Sequence, residues 1–98
     1  MREILVVYDV RTETPEGQRR LRRVARCCEG LGRRVQKSVF EVTASAAQIV
    51  SLRAQLVELM APEDSIRIYR LSSGTLAQVE ILGASTEPFG RPERDVVI

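Results

Sequence analysis

The run Ile4-Leu5-Val6-Val7-Tyr8, followed at once by Asp9, constrains this chain more than any other stretch. Consecutive large apolar residues, several of them β-branched, suit a strand covered on both faces better than an edge strand with one face in water. The run is also far short of the ~18 residues a membrane span needs. It ends on a carboxylate, and an unpaired buried Asp is costly, so Asp9 has to be solvated at the strand end, partnered, or bound to a cation. An Asp in this place also serves as a plain turn former, accepting a hydrogen bond from the backbone two residues on.

Alternation along the strand, Glu3 to Asp9, puts Leu5, Val7 and Asp9 on one face and Ile4, Val6 and Tyr8 on the other. Two helices are legible downstream, and together they cover one face. The second apolar face then implies another layer, most simply a second copy of the sheet. On that reading Asp9 lies at the margin of a subunit interface and meets its symmetry mate. Two carboxylates so placed repel unless they are protonated or bridged by a cation.

The first helix is expected from Glu16 to Leu31, with Pro15 at its start and Gly30 and Gly32 closing it. Its apolar stripe is Leu21, Val24, Ala25, Cys28 and Leu31, and arginines occupy the opposite face. Arg33 to Val42 reads as a second strand with a bulge or bend near Ser38. Ser45 and Gln48 give a capping box for a second helix with Ile49, Leu52, Leu56, Leu59 and Met60 inside. Asp64 to Leu71 is expected as a third strand and Leu76 to Leu82 as a fourth. Gly83 to Pro92 reads as a loop, and Asp95 to Ile98 as a short tail strand that needs a sheet edge, its own or a partner's. A ferredoxin-like order needs two strands between the helices, and the pattern leaves open whether Arg33–Val42 is one bent strand or two short ones. The 98 residues are expected to form one domain, residues 1–98.

The chain has no histidine. That removes Ser-His and Cys-His nucleophiles, histidine bases and His-ligated zinc together, and leaves carboxylates, Tyr, Lys or an oxygen-ligated metal for any catalysis. Cys27 and Cys28 are neighbours, a poor arrangement for a disulfide, and Cys28 reads as core filler. The net charge of +2 hides an asymmetry, because Arg11 to Lys37 holds nine basic and three acidic residues. Such a segment suits a phosphate-facing surface, although a solvated helix face produces the same pattern. With no signal peptide or membrane span evident, a cytoplasmic location is expected.

"VVYDV", a basic first helix after a short loop, and "RRVQKSVFEV" at its distance together resemble the small CRISPR-associated Cas-two family. The likeness is clearest over the first 42 residues. It implies an α+β, ferredoxin-like sandwich and a homodimer, with a short C-terminal strand exchanged or paired at the dimer interface. It also implies Mg²⁺, with Mn²⁺ as a substitute, held between strand-end aspartates. Asp9 is then the metal ligand and catalytic residue. Tyr8, Arg19 or Arg20, Arg34, Ser38 and Phe40 match positions where members place supporting or nucleic-acid-contacting residues, Phe40 for packing more than for stacking on a base. Arg23 joins Arg19, Arg20, Arg34 and Ser38 as a nucleic-acid candidate from the basic face of the helix. Implied partners are a larger CRISPR integrase, double-stranded DNA and, for some members, single-stranded RNA, with no membrane.

Two functions follow from different classes. One is a metal-dependent endonuclease on RNA or DNA, with Glu13 and Glu41 as candidate outlying acids. The other is a non-catalytic scaffold whose arginines grip duplex backbone during spacer acquisition, which the basic segment supports more directly. A toxin ribonuclease of the VapD kind is a further alternative. A small-molecule regulator is disfavoured by the lack of a Gly-rich or aromatic pocket. Whether the chain is an enzyme at all is left open.

Overall fold

A computed structural model describes residues 1–83. Strand β1 (Arg2–Asp9) leads into helix α1 (Pro15–Glu29), strands β2 (Gly32–Gln36) and β3 (Val39–Ala44), helix α2 (Ala46–Leu59) and strand β4 (Ser65–Leu71). The strands form one antiparallel sheet in the order β2-β3-β1-β4, so the apolar run of β1 is central, as its composition predicts. The βαββαβ order is the split arrangement of a ferredoxin-like α+β fold.

The segment Arg33–Val42 is two strands, not one. Lys37 and Ser38 turn the chain, and the register between β2 and β3 slips by one residue between Arg34 and Gln36. This slip is the break in alternation seen in the sequence, located three residues before Ser38. The expected fourth strand, Leu76 to Leu82, is not there as a strand. Leu76–Gln78 is a single 3₁₀ turn instead. Two backbone N–H groups explain the difference, because those of Gly74 and Leu76 donate to the Glu3 carboxylate at 2.7 and 2.9 Å and bend the chain away from an extended path. Gly74 permits the bend with φ of +92°, a conformation side chains resist. The expected tail strand Asp95–Ile98 and most of the preceding loop lie outside the described residues.

Both helices pack on one face of the sheet. Thr14 caps α1 by accepting from the Gly17 N–H, and Ser45 and Gln48 form the predicted reciprocal capping box at α2; each such cap stabilises by about 1 kcal/mol. Gly17 has no freedom to change, since a Cβ there would run into the Arg11 carbonyl. The core joins Ile4, Val6 and Tyr8 of β1 to Phe40, Val42 and Ala44 of β3, with Val24, Ala25 and Cys28 from α1 and Ile49, Leu52 and Leu56 from α2. Burial pushes the Cys28 thiol up to about 12, so it stays a protonated filler as its place on the helical stripe suggests. Leu5 and Val7 point to the other face, where no described helix covers them, and are half-buried. No helix among the described residues is long and apolar enough to cross a membrane.

One buried carboxylate ties together segments far apart in sequence. The Asp64 side chain has no exposed surface and accepts from Arg20 Nε at 2.8 Å and Nη2 at 3.3 Å. It also accepts from the backbone N–H groups of Arg11 at 3.1 Å and Ala61 at 2.9 Å. The Arg20 guanidinium, helped by the two N–H donors, outweighs desolvation and holds the Asp64 pKa at about 2. A lowered native pKa stabilises the fold fully above the ordinary value of 3.8, and the contribution disappears as pH falls towards about 2. We expect Asp64→Ala to cost on the order of 3 kcal/mol at pH 7 in urea denaturation. The penalty should shrink as the pH is lowered from 5 to 2. Phe40, wholly buried between the helices and β1, should cost about 3–5 kcal/mol on truncation to Ala by the same measurement.

Candidate metal centre and nucleic-acid surface

Asp9 closes β1 at one end of the sheet. It is exposed, lies on the face that the helices leave open, and stands opposite Ser65 of β4. Among the described residues its carboxylate makes no hydrogen bond or ion pair, so it is not the turn former the sequence also allowed. No group of three or more His, Cys, Asp or Glu side chains gathers anywhere among the described residues. One copy therefore presents a single unpartnered hard-oxygen donor, which suits Mg²⁺ or Mn²⁺ as part of a shared site and does not complete a cage alone.

The neighbourhood of Asp9 is held firmly. Its chain neighbour Tyr8 donates from its backbone N–H to the Ser38 carbonyl at 3.1 Å and from its hydroxyl to the Lys37 carbonyl at 3.2 Å. Arg34 places Nε and Nη2 on the same Lys37 carbonyl at 3.0 and 2.7 Å. Four donors thus fix the β2–β3 turn beside the end of β1. The Arg34 guanidinium also lies 5.7 Å from the centroid of the Phe40 ring and 3.9 Å from a Glu29 carboxylate oxygen. Tyr8 and Phe40 stack with centroids 6.1 Å apart. Desolvation, opposed by Arg34, raises the Tyr8 phenol above its ordinary range, so it stays a neutral donor.

The residues expected to touch nucleic acid divide on inspection. Phe40 is wholly buried and packs, as expected. Arg34 is engaged within its own turn, and Ser38 is half-buried there with its carbonyl on Tyr8. Arg20, expected beside Arg19 and Arg23, is drawn inward, with its side chain 18% exposed against the wholly buried Asp64. Its helical position places it over the turn that carries Asp64, where a buried carboxylate competes with any external phosphate. Glu41 is likewise committed, 2.9 Å from Arg33 across the β2–β3 pair, and Glu13 lies 3.8 Å from Arg11.

What remains outward on α1 is a row of arginines, Arg19, Arg22, Arg23 and Arg26. Arg19 has Glu16 at 3.8 Å. The other three have no carboxylate partner among the described residues. Arg22 and Arg26 were not singled out by motif, yet their spacing of three, four and seven from Arg19 already places all four on one helical face. Asp64 was missed for a different reason, because nothing local to it announces a partner 44 residues away.

A family model described as CRISPR associated protein Cas2 matches residues 1–79. The chain is 52% identical over 82 residues to the CRISPR-associated endoribonuclease Cas2 of Chlorobaculum tepidum, covering 83% of this chain and 85% of that protein. It is 45% identical to the CRISPR-associated endonuclease Cas2 of Halalkalibacterium halodurans with the same coverage of each. Among solved structures it resembles Streptococcus pyogenes Cas2 at pH 6.5, with a TM-score of 0.74, 45% identity, and coverage of 83% of this chain and 99% of that one. It also resembles a chain of a partial Cas6-RT-Cas1–Cas2 complex, with a TM-score of 0.58, 27% identity, and coverage of 82% and 89%. The strand-end aspartate, the basic helix and the split βαβ sheet thus sit in a chain that belongs to the CRISPR-associated Cas2 family.

Proposed function

We propose that this chain works in spacer acquisition as a homodimeric scaffold that binds double-stranded DNA and assembles with a Cas1 integrase. The observation that carries the reading is the outward row Arg19, Arg22, Arg23 and Arg26 on α1, three of them without a carboxylate partner among the described residues. Such a row suits sequence-independent contact with phosphates, which positions a duplex without reading it. Assembly with Cas1 is supported by the likeness to a chain of a solved complex that contains Cas1 and Cas2.

Dimerisation is supported by the face opposite the helices. The register sets Leu5 beside Tyr69 and Val7 beside Val39 on that face, and Tyr69 is 44% exposed. A second copy stacked there covers these side chains and brings the two Asp9 carboxylates towards one another. We further propose that the pair holds Mg²⁺ or Mn²⁺ and supports cleavage of RNA or DNA phosphodiesters, in keeping with relatives named endoribonuclease and endonuclease. The ion, when bound, neutralises charge on the phosphate and activates water. The chain's own part is to hold Asp9 in place through the Tyr8–Ser38 and Asp64–Arg11 hydrogen bonds. A toxin ribonuclease of the VapD kind gains no support from any of these observations.

Two measurements separate the scaffold from the nuclease. Arg23→Ala should weaken duplex binding and reduce the slope of log K against log salt by about 1. An unchanged slope counts against the α1 surface. Asp9→Ala should lower Mg²⁺-dependent cleavage by at least ~100-fold and leave duplex affinity at the wild-type level. Cleavage that survives both this variant and a chelator removes the metal reading and leaves the scaffold standing.

A further inference from the structure

The end of the sheet away from Asp9 carries a surface that neither the metal nor the duplex needs. There β1 begins, β4 ends and α2 starts, and the three frame a groove of about 540 Å³. Ile4, Ile49, Val50 and Leu71 make it apolar, and Arg2 and Arg70 line it from the two strands. The register pairs Ile4 with Arg70, so Arg70 projects on the same face as Ile4 and Arg2. Both arginines are exposed, and among the described residues neither has a carboxylate partner. The one carboxylate in the lining, Glu3, is taken by the N–H groups of Gly74 and Leu76.

The apolar character continues outward along α2. Ala47, Val50, Ala54 and Val57 follow one another at spacings of three, four and three, and all are exposed, Val50 at 68% and Val57 at 56%. The buried side of the same helix is Ile49, Leu52 and Leu56. Among the described residues this helix therefore carries a second apolar face that nothing covers, beside two cations that no carboxylate neutralises. A contiguous exposed apolar lane with a charged border marks an interaction surface.

We infer that the groove and the outer face of α2 dock a peptide segment of a protein partner that carries apolar side chains for the Val50–Val57 lane and carboxylates for Arg2 and Arg70. Charge complementarity decides among occupants. A nucleic acid would gain nothing from the exposed valines and has the α1 row to bind instead. A second copy, packed two-fold through this groove, would bring the arginines of one chain towards those of the other. The inference rests on the reading that the chain assembles with the integrase, which is the partner to test.

The experiment titrates cognate Cas1 integrase into the full-length chain by calorimetry, at two salt concentrations, for wild type, Val50→Asp, Val57→Asp and the double variant Arg2→Glu/Arg70→Glu. Circular dichroism and sedimentation of each free variant, and its duplex affinity, are measured alongside. We expect each variant to bind Cas1 at least tenfold more weakly, with folding, oligomeric state and duplex affinity as in wild type, and we expect wild-type affinity to fall with salt. Variants that bind Cas1 within twofold of wild type overturn the docking site and leave the partnership intact. A changed oligomeric state in the variants assigns the surface to a second copy, and a selective loss of duplex affinity assigns it to nucleic acid; either result overturns the inference. Wild type that does not bind Cas1 overturns the partnership first and this site with it.

Discussion

The carboxylate of Asp64 is the interaction on which the working end of this molecule depends. It reaches the β1–α1 loop through the Arg11 N–H, the end of α2 through the Ala61 N–H, and the body of α1 through Arg20. Asp9 lies two residues before Arg11, and Ser65, its cross-strand neighbour, directly follows Asp64. One buried group therefore fixes the exit of the strand that carries the candidate metal ligand and the start of the strand beside it. Removing a charge from water is expensive, and here four hydrogen bonds, two of them from a guanidinium, offset that expense.

The same economy of contacts explains why the arginines of α1 have different fates despite nearly identical local sequence. Arg19 and Arg20 are adjacent, but a helix turns 100° per residue, so one faces water and the other the Asp64 turn. A basic count alone treats them as equivalent. Arg34 departs from a simple phosphate contact for a related reason. Its guanidinium is absorbed in holding the Lys37 carbonyl, together with the Tyr8 hydroxyl. The residues that matter most to Asp9 are thus organising residues, and the outward charge lies one helix away.

Chemically different surfaces lie apart from one another on this small fold. The open sheet face carries Leu5, Val7 and Tyr69, with Asp9 at its end, while α1 carries cations and α2 carries an apolar lane that begins beside Arg2 and Arg70. These regions share little side-chain area, because two helices on a four-stranded sheet leave one sheet face and two helix faces exposed to solvent. Each exposed face can then take a chemically different ligand.

Much of the architecture was legible because it rests on local rules. The apolar run from Ile4 to Tyr8 required a central strand, Pro15 and Ser45-Gln48 announced two helix starts, and the stripes through Val24 and Leu52 told which sides were buried. Asp9 at the end of an alternating strand was likewise placed by periodicity, on the face without helices. The tertiary structure alone decided what depends on distant partners. It split Arg33–Val42 into a hairpin, because Tyr8 supplies donors to the Lys37 and Ser38 carbonyls. It turned the expected strand from Leu76 into a 3₁₀ turn, because Glu3 captures two N–H groups there. It withdrew Arg20 from the basic surface, because Asp64 is buried beneath it. Propensity and periodicity act between neighbours along the chain, whereas these three outcomes are hydrogen bonds across 29 or more residues, and no local pattern records which donor will find which acceptor.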